Sequence, residues 1–107
     1  MLKLVYVPCT SRDEAESISK VLLQMRLTAH VHILDNICTM SMQENDIVEE
    51  RHAFIMFKTH EVMLEKVVQH IRLLHTLYSP TILSVPVDRE NPSYLEWLQE
   101  TNSMRFQ

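Results

Sequence analysis

The segment 47–58 constrains the fold of this chain more than any other part of the sequence. Its second half, 53–57, is apolar without interruption, which is typical of a central strand, whereas the residues before it are mostly polar. A strand of this length spans about 40 Å, yet a domain of about 100 residues has a radius of gyration of only about 13 Å. We therefore predict that this strand and its hairpin partner project beyond the domain body. A projecting ribbon has open edges, and it is expected to pair with another subunit.

Strand-like and helix-like segments alternate along the rest of the chain. Strands are predicted at 2–7, 29–34, 37–43, 47–58 and 81–87, and helices after Ser11, Thr59 and Asn91. Pro8 is expected to end the first strand, and residues 44–46 are expected to form the hairpin turn. This order predicts a single α+β domain over 1–107. Its fold is a ferredoxin-like split β-α-β antiparallel sheet with a long hairpin and a short C-terminal helix.

The helix boundaries are predicted from capping residues and apolar spacing. Ser11 and Glu14 have the spacing of a capping box, and the helix that follows is expected to end near Arg26. Thr59 is expected to cap the second helix, and Asn91, which precedes a proline, the third. The apolar faces are Ala15, Ile18, Val21, Leu22 and Met25 in the first helix, Leu64, Val67, Val68, Ile71 and Leu74 in the second, and Tyr94, Trp97 and Leu98 in the third.

The chain contains no glycine. Glycine is the residue that most readily adopts a positive φ angle, so another residue must occupy every left-handed position. Asparagine tolerates this conformation better than most residues, and we expect it at Asn36, in a turn or bulge, or at Asn45, in the hairpin turn. The absence of glycine also excludes the glycine-rich loops that cradle phosphates.

The composition excludes several classes of function. The net charge is −4 and no run of lysine or arginine is present, so the basic surface of a nucleic-acid-binding protein is absent. No apolar run approaches the roughly 20 residues that cross a bilayer, and the N-terminus lacks the features of a signal peptide. We therefore expect a cytoplasmic protein in which Cys9 and Cys38 stay reduced. No catalytic motif is recognisable, so no enzymatic activity is predicted.

Several segments, taken in order, resemble the CutA divalent-cation tolerance proteins. They are VYVPCTSRDEAE at 5–16, LTAHVHI at 27–33, FKT at 57–59, His75 with Pro80 after it, and YLEWL at 94–98. The resemblance implies a ferredoxin-like homotrimer whose long hairpins pair between subunits. It also implies a cytoplasmic protein linked to metal tolerance, with copper(II) or another divalent cation as ligand, no required cofactor and no established reaction.

The chain departs from this family in three features. Residues 41–45 read SMQEN, where the family has an aromatic residue and glycine. The segment after the family histidine reads TLYSPT at 76–81, where the family usually has tyrosine and glutamate, and Thr81 replaces the glutamate that follows the family's proline. If the segment 76–81 lines a ligand cleft between subunits, the protein is expected to bind a different ligand there, or none.

The candidate metal ligands are Cys9, His30, His75 and His32. Cys9 and His75 match positions at which the family has a cysteine and a histidine, and His30 replaces a family cysteine. Thiolate and imidazole are ligands for copper and zinc. His30 and His32 also form a His-x-His pair whose rings point to the same side of a strand. The alternative is structural: a small buried cysteine, strand histidines that face solvent, and a histidine at a helix end.

The predicted ribbon carries two further groups with ligand chemistry. Cys38, Met40 and Met42 place three sulfur atoms on one strand face, which suits Cu(I). Adaptable methionine packing at an interface is the favoured interpretation of these residues. The acidic side chains between 44 and 50 are interpreted as a solvated surface of the ribbon.

The function predicted from these observations is a CutA-like homotrimeric, metal-binding protein associated with divalent-cation (copper) tolerance, with no reaction of its own. The alternative is a trimeric regulatory module of the nitrogen-regulatory PII type, which binds a small ligand or a partner protein at subunit clefts. That alternative depends on fold analogy alone. The missing glycine-rich segment argues against nucleotide binding.

Overall fold

The computed structural model describes residues 1–77 and 80–87. Its elements, in chain order, are β1 (Leu2–Cys9), α1 (Arg12–Gln24), β2 (Val31–Gln43), β3 (Asp46–His60), a 3₁₀ turn (Glu61–Met63), α2 (Leu64–Leu74) and β4 (Leu83–Pro86). No helix in the described part of the chain is long and apolar enough to cross a membrane. The predicted third helix, with its cap Asn91, lies outside the described residues.

The four strands form one antiparallel sheet in the order β2-β3-β1-β4. Both helices pack on the same face of this sheet. The core there joins Ile18 of α1 and Val67 of α2 to Val5, Ile55 and Phe57 of the two central strands. This arrangement is the predicted α+β fold with a ferredoxin-like split β-α-β order.

The apolar stripe of α1 is buried in its inner members, Ala15, Ile18 and Leu22. Met25 is exposed because α1 ends one residue before it, slightly earlier than predicted. The chain then turns at Arg26, whose φ angle is 58°. Glycine usually occupies this left-handed position after a helix, and a chain without glycine must place another residue there.

Beyond the body, β2 and β3 continue as a two-stranded arm, residues 37–52, which we call the ribbon. The described residues extend 50 × 28 × 21 Å, with a radius of gyration of 15.4 Å. A bulge between Leu34 and Ile37 begins the ribbon, with Asn36 at a φ angle of 55°. At the hairpin turn the positive φ angle, also 55°, falls on Glu44. The projecting ribbon and the left-handed Asn36 are therefore confirmed, whereas Asn45 was the wrong choice.

Pro8 does not end the first strand. β1 continues to Cys9, and Pro8 lies opposite Phe54 of β3. The carbonyl oxygen of Pro8 accepts a hydrogen bond from His75, so it points away from β3. Because the nitrogen and the carbonyl of a strand residue face the same side, the missing N–H of Pro8 also faces away from β3. Pairing with β4 has already ended at Tyr6, so the strand loses no ladder bond at this proline.

Thr59 does not cap the second helix. It is a buried residue of β3, opposite Lys3, and its hydroxyl donates a hydrogen bond to the Leu27 carbonyl at 2.7 Å. The strand continues to His60, and the 3₁₀ turn separates it from α2. Threonine is favoured in strands as well as at helix caps, so the sequence alone does not distinguish the two positions.

The face of the sheet opposite the helices, which we call the open face, is lined mainly by apolar side chains. Alternate positions of all four strands contribute to it, namely Leu4, Tyr6, His32, Leu34, Phe54, Met56, Leu83 and Val85. At its centre, the rings of Tyr6 and Phe54 have centroids 4.8 Å apart. No element within 1–77 or 80–87 packs on this face, which distinguishes it from the helix-covered core.

Candidate metal centre

Three potential metal ligands meet where β1 and both helices converge. Cys9 is the last residue of β1, Glu14 lies in the first turn of α1, and His75 caps the C-terminus of α2. Their ligand atoms, a thiol sulfur, a carboxylate oxygen and a ring nitrogen, all lie within 4.8 Å of one another. All three residues are buried. We refer to them as the polar cluster.

Glu14 is the hub of the polar cluster. Its Oε1 accepts hydrogen bonds from the backbone N–H of Thr10 at 2.9 Å and from the Thr10 hydroxyl at 3.3 Å. Its Oε2 accepts a hydrogen bond from the backbone N–H of Thr76 at 2.8 Å. Burial raises the pKa of Glu14, but the hydrogen bonds from Thr76 and Thr10 and the proximity of His75 outweigh it and leave that pKa below its ordinary value. The carboxylate therefore joins the start of α1 to the segment after α2.

Only half of the predicted capping box forms. The Ser11 hydroxyl accepts a hydrogen bond from the Glu14 backbone N–H at 3.2 Å, so Ser11 is the N-cap. The Glu14 side chain does not complete the box by bonding the Ser11 backbone. It reaches Thr10 and Thr76 instead, because the segment after α2 supplies a further, part-buried N–H that needs an acceptor.

The hydrogen bonds of His75 identify its tautomer. Its Nδ1 accepts from the backbone N–H of Leu77 at 3.1 Å, so this nitrogen carries no proton. The proton is on Nε2, which donates to the Pro8 carbonyl at 2.8 Å and lies 3.3 Å from Glu14 Oε1. The ring thus links the end of β1 to the segment that follows α2.

Cys9 is a thiol rather than a thiolate. Its Sγ donates to the Val7 carbonyl at 3.6 Å. Burial, and secondarily the negative charge of Glu14, raise the pKa of Cys9 to about 12. A cysteine with this pKa is a poor nucleophile at neutral pH.

The polar cluster fits a divalent transition-metal ion in donor type and spacing. Thiolate, imidazole and carboxylate are the protein ligands of zinc, and the first two also suit copper. Binding requires that Cys9 lose its proton and that the Nε2 proton of His75 leave or move to Nδ1, which faces the Leu77 N–H. A metal ion bound at this position would therefore be coupled to proton release and to a local adjustment after α2.

The structure brings Cys9 and His75 together but does not place His30 or His32 with them. His32 lies opposite Met56 on the open face, whereas Cys9 points into the core on the other side of the sheet. His30 precedes β2, whose first residue is in line with Val5 of β1. Cys9 is four residues farther along β1 than Val5, which is a distance of about 13 Å.

Glu14 is the residue of this cluster that sequence reasoning did not identify as a ligand candidate. Its position three residues after Ser11 was explained by helix capping alone, so its place in the polar cluster was not predicted. The available signal was the acidic side chain in the first turn of a helix that begins three residues after Cys9, because a short connection keeps the helix start close to the strand end.

The three sulfur atoms of the ribbon cannot hold one ion within a single chain. Cys38, Met40 and Met42 alternate along β2 and face the same side, as predicted, and all are exposed. The Cα atoms of Cys38 and Met42 are about 13 Å apart from the strand rise. With metal–sulfur bonds of about 2.3 Å, the two side chains are too short to reach one ion. Cys9 and Cys38 are both free thiols.

Comparison with known proteins gives a consistent result. A family model described as CutA1 divalent ion tolerance protein matches residues 3–101. The divalent-cation tolerance protein CutA of Thermus thermophilus is 28% identical over 100 residues, which cover 94% of this chain and 97% of the relative. The chain spans less of other relatives, 64% of the Xenopus laevis CutA homolog and 54% of mouse CutA.

Solved structures show the same fold. The structure of CutA from Pyrococcus horikoshii is similar with a TM-score of 0.78 at 31% identity, covering 94% of this chain and 97% of that chain. The Archaeoglobus fulgidus CutA, described as a periplasmic divalent cation tolerance protein, gives a TM-score of 0.79 at 28% identity and covers 95% and 99%. Fold and sequence therefore agree over nearly the whole chain.

Proposed function

Because the chain belongs to the CutA1 divalent ion tolerance protein family, we propose that it is a homotrimer that binds copper(II) or another divalent cation at the polar cluster and catalyses no reaction of its own. The observation that carries this proposal is the convergence of three buried ligand atoms within 4.8 Å of one another. A bound ion would be held by Cys9, Glu14 and His75, and it would supply a positive charge that favours their deprotonated forms.

Burial of the polar cluster supports a selective rather than a loose metal site. Two of the three ligands are fixed by hydrogen bonds from backbone N–H groups, Glu14 by Thr10 and Thr76 and His75 by Leu77. Such outer contacts orient metal ligands and keep them in place. The proton that Cys9 must lose makes metal affinity rise steeply with pH, since a metal ion has to compete with a thiol whose pKa is about 12.

The open face and the ribbon support an oligomer. Leu83 and Val85 of the open face are more than half exposed, as are Met40, Met42 and Ile47 on the ribbon. A small monomer rarely leaves an apolar surface of this extent in water. A second copy of the chain is the occupant we propose for both surfaces, in a closed ring of three subunits.

One observation supports a role in binding rather than catalysis, and a second supports a location in a reducing compartment. The buried Cys9 thiol and the fully hydrogen-bonded His75 do not form a nucleophile and base pair. The two cysteines are unbridged, as is usual in the cytoplasm, and we propose the cytoplasm as the location of the protein.

Native mass spectrometry with and without added copper(II) tests the proposal. We expect three subunits carrying one copper each, and loss of that copper in His75→Ala. His70→Ala is the matched control, because His70 is a half-buried residue of the same helix that bonds only the Lys66 carbonyl among the described contacts. Trimers that stay free of metal, or that lose it equally in both variants, would refute the metal site. A metabolite-sized adduct in place of copper would favour a regulatory module.

A further inference from the structure

The ribbon presents oxidisable sulfur to solvent. Met40 and Met42 have 63% and 68% of their surface exposed. They lie two residues apart on β2, so their side chains point to the same side. Ile47, which is 68% exposed, lies directly opposite Met42 and extends this apolar strip to β3.

This apolar strip lies outside the domain body. The residue opposite Met40 is the charged Glu49, and the hairpin turn at the tip of the ribbon follows Met42 by two residues. Neither helix packs on it, since the contacts of α1 and α2 are with the body. Among residues 1–77 and 80–87 nothing covers the strip, which leaves it to a neighbouring subunit, and its two methionines supply most of its apolar surface.

We propose that Met40 and Met42 are sites of reversible oxidation to methionine sulfoxide, and that this modification weakens the contact between subunits. The inference rests on the proposed homotrimer, and it adds a chemical control to that assembly. Each thioether sulfur takes one oxygen atom from hydrogen peroxide, and the other oxygen atom leaves as water. The sulfur is oxidised by two electrons and the peroxide is reduced by two, and sulfoxide reductases reverse the step.

Burial explains why one oxygen atom changes the assembly. A thioether is apolar and adapts its shape to an irregular surface, whereas a sulfoxide is polar and chiral. A sulfoxide buried without a hydrogen-bond partner is unfavourable, and we expect each one to raise the dissociation constant of the assembly about tenfold or more. Assembly also shields the sulfur atoms, so oxidation proceeds mainly through dissociated subunits.

The experiment uses the full chain with Cys38→Ser, which removes the thiol on the same strand face. Hydrogen peroxide is added at subunit concentrations above and below the dissociation midpoint, and peptide mass mapping follows each methionine. We expect Met40 and Met42 to oxidise more slowly in the assembled sample. Met25, which is 53% exposed on the body, serves as the internal reference. Native mass spectrometry then reports the subunit count of the oxidised protein.

Leucine variants separate the two sulfur atoms from general damage. The double variant Met40→Leu with Met42→Leu keeps apolar side chains and is expected to assemble normally and to stay assembled in peroxide. Met25→Leu is expected to dissociate like the parent. If oxidised Met40 and Met42 leave the subunit count and its concentration dependence unchanged, the oxidation proposal is wrong although the trimer stands. A chain that is monomeric before any oxidation refutes the proposed trimer itself.

Discussion

Replacing Glu14 by glutamine removes the charge at the hub of the polar cluster with almost no change of volume. In the native protein both carboxylate oxygens accept part-buried hydrogen bonds from backbone donors, Thr10 N–H at 2.9 Å and Thr76 N–H at 2.8 Å. Glutamine offers only one oxygen. Its amide nitrogen is itself a donor, so one of the two backbone N–H groups is left facing another donor.

The expected cost follows from the number of hydrogen bonds lost. A hydrogen bond to a charged group contributes about 1.5–3 kcal/mol, and one such bond is lost in Glu14→Gln. A neutral glutamine costs less to bury than a carboxylate, which offsets a part of this loss. We therefore expect the free energy of unfolding to fall by about 2 kcal/mol. For a domain of this size the midpoint of thermal unfolding falls by about 10 °C.

Urea unfolding followed by circular dichroism measures this loss, at one subunit concentration for all variants because assembly stabilises the folded chain. Glu16→Gln is the matched control. Glu16 lies on the same helix but is only half-buried, with 37% of its side chain exposed, and it pairs only with Arg12 in the contacts described. Such an i,i+4 surface pair contributes about 0.5 kcal/mol or less. Equal stabilities of the parent and Glu14→Gln, or an equal loss in both variants, would refute the role of Glu14 as a hub.

The pH dependence of this difference has a defined sign. The pKa of folded Glu14 lies below the ordinary glutamate value of 4.5, so the carboxylate stabilises the fold above that pH. The stabilisation is lost as pH falls through the folded pKa, where the carboxyl group becomes protonated in both states. We therefore expect the parent and Glu14→Gln to converge in stability as the pH is lowered below 4.5. A constant difference across that range contradicts the assignment.

Three further predictions concern other parts of the chain. A maleimide reagent should modify Cys38 in native buffer and Cys9 only in denaturant, and rapid native labelling of Cys9 would contradict its buried thiol state. Glu44→Gly should stabilise the fold by about 1 kcal/mol in urea unfolding, because Glu44 has a left-handed backbone that costs a residue with a Cβ atom about 1–2 kcal/mol. Ile55→Ala, which leaves a cavity in the core, should lower the free energy of unfolding by about 3 kcal/mol. The control Val62→Ala, at an exposed position, should change it little, and similar losses in both variants would argue against the described core.

The elements that could be predicted from the sequence are those whose apolar residues form a regular pattern along the chain. The apolar stripe of α1 follows from spacing, because one buried face imposes a fixed period on a helix, and the first strand follows from its apolar run. The ribbon was predicted from length alone, since an extended segment of that size cannot fit inside the body.

The features that sequence reasoning missed depend on contacts between distant segments. Pro8 stays within a strand because β4 stops short of it, and Thr59 stays within a strand because Leu27 offers an acceptor. Glu14 became a hub because Thr76, 62 residues away, places its N–H beside it. Single residue types have several permitted roles, and only tertiary contacts decide between them.

The most direct test of the account is to locate bound copper by anomalous X-ray scattering in crystals of the copper-loaded protein. The account predicts one anomalous peak per subunit between Cys9 Sγ, Glu14 Oε1 and His75 Nε2, with the His75 proton displaced and the Leu77 backbone shifted. A peak at His30 or His32 on the other side of the sheet, or no peak at the polar cluster in a copper-loaded trimer, would contradict it.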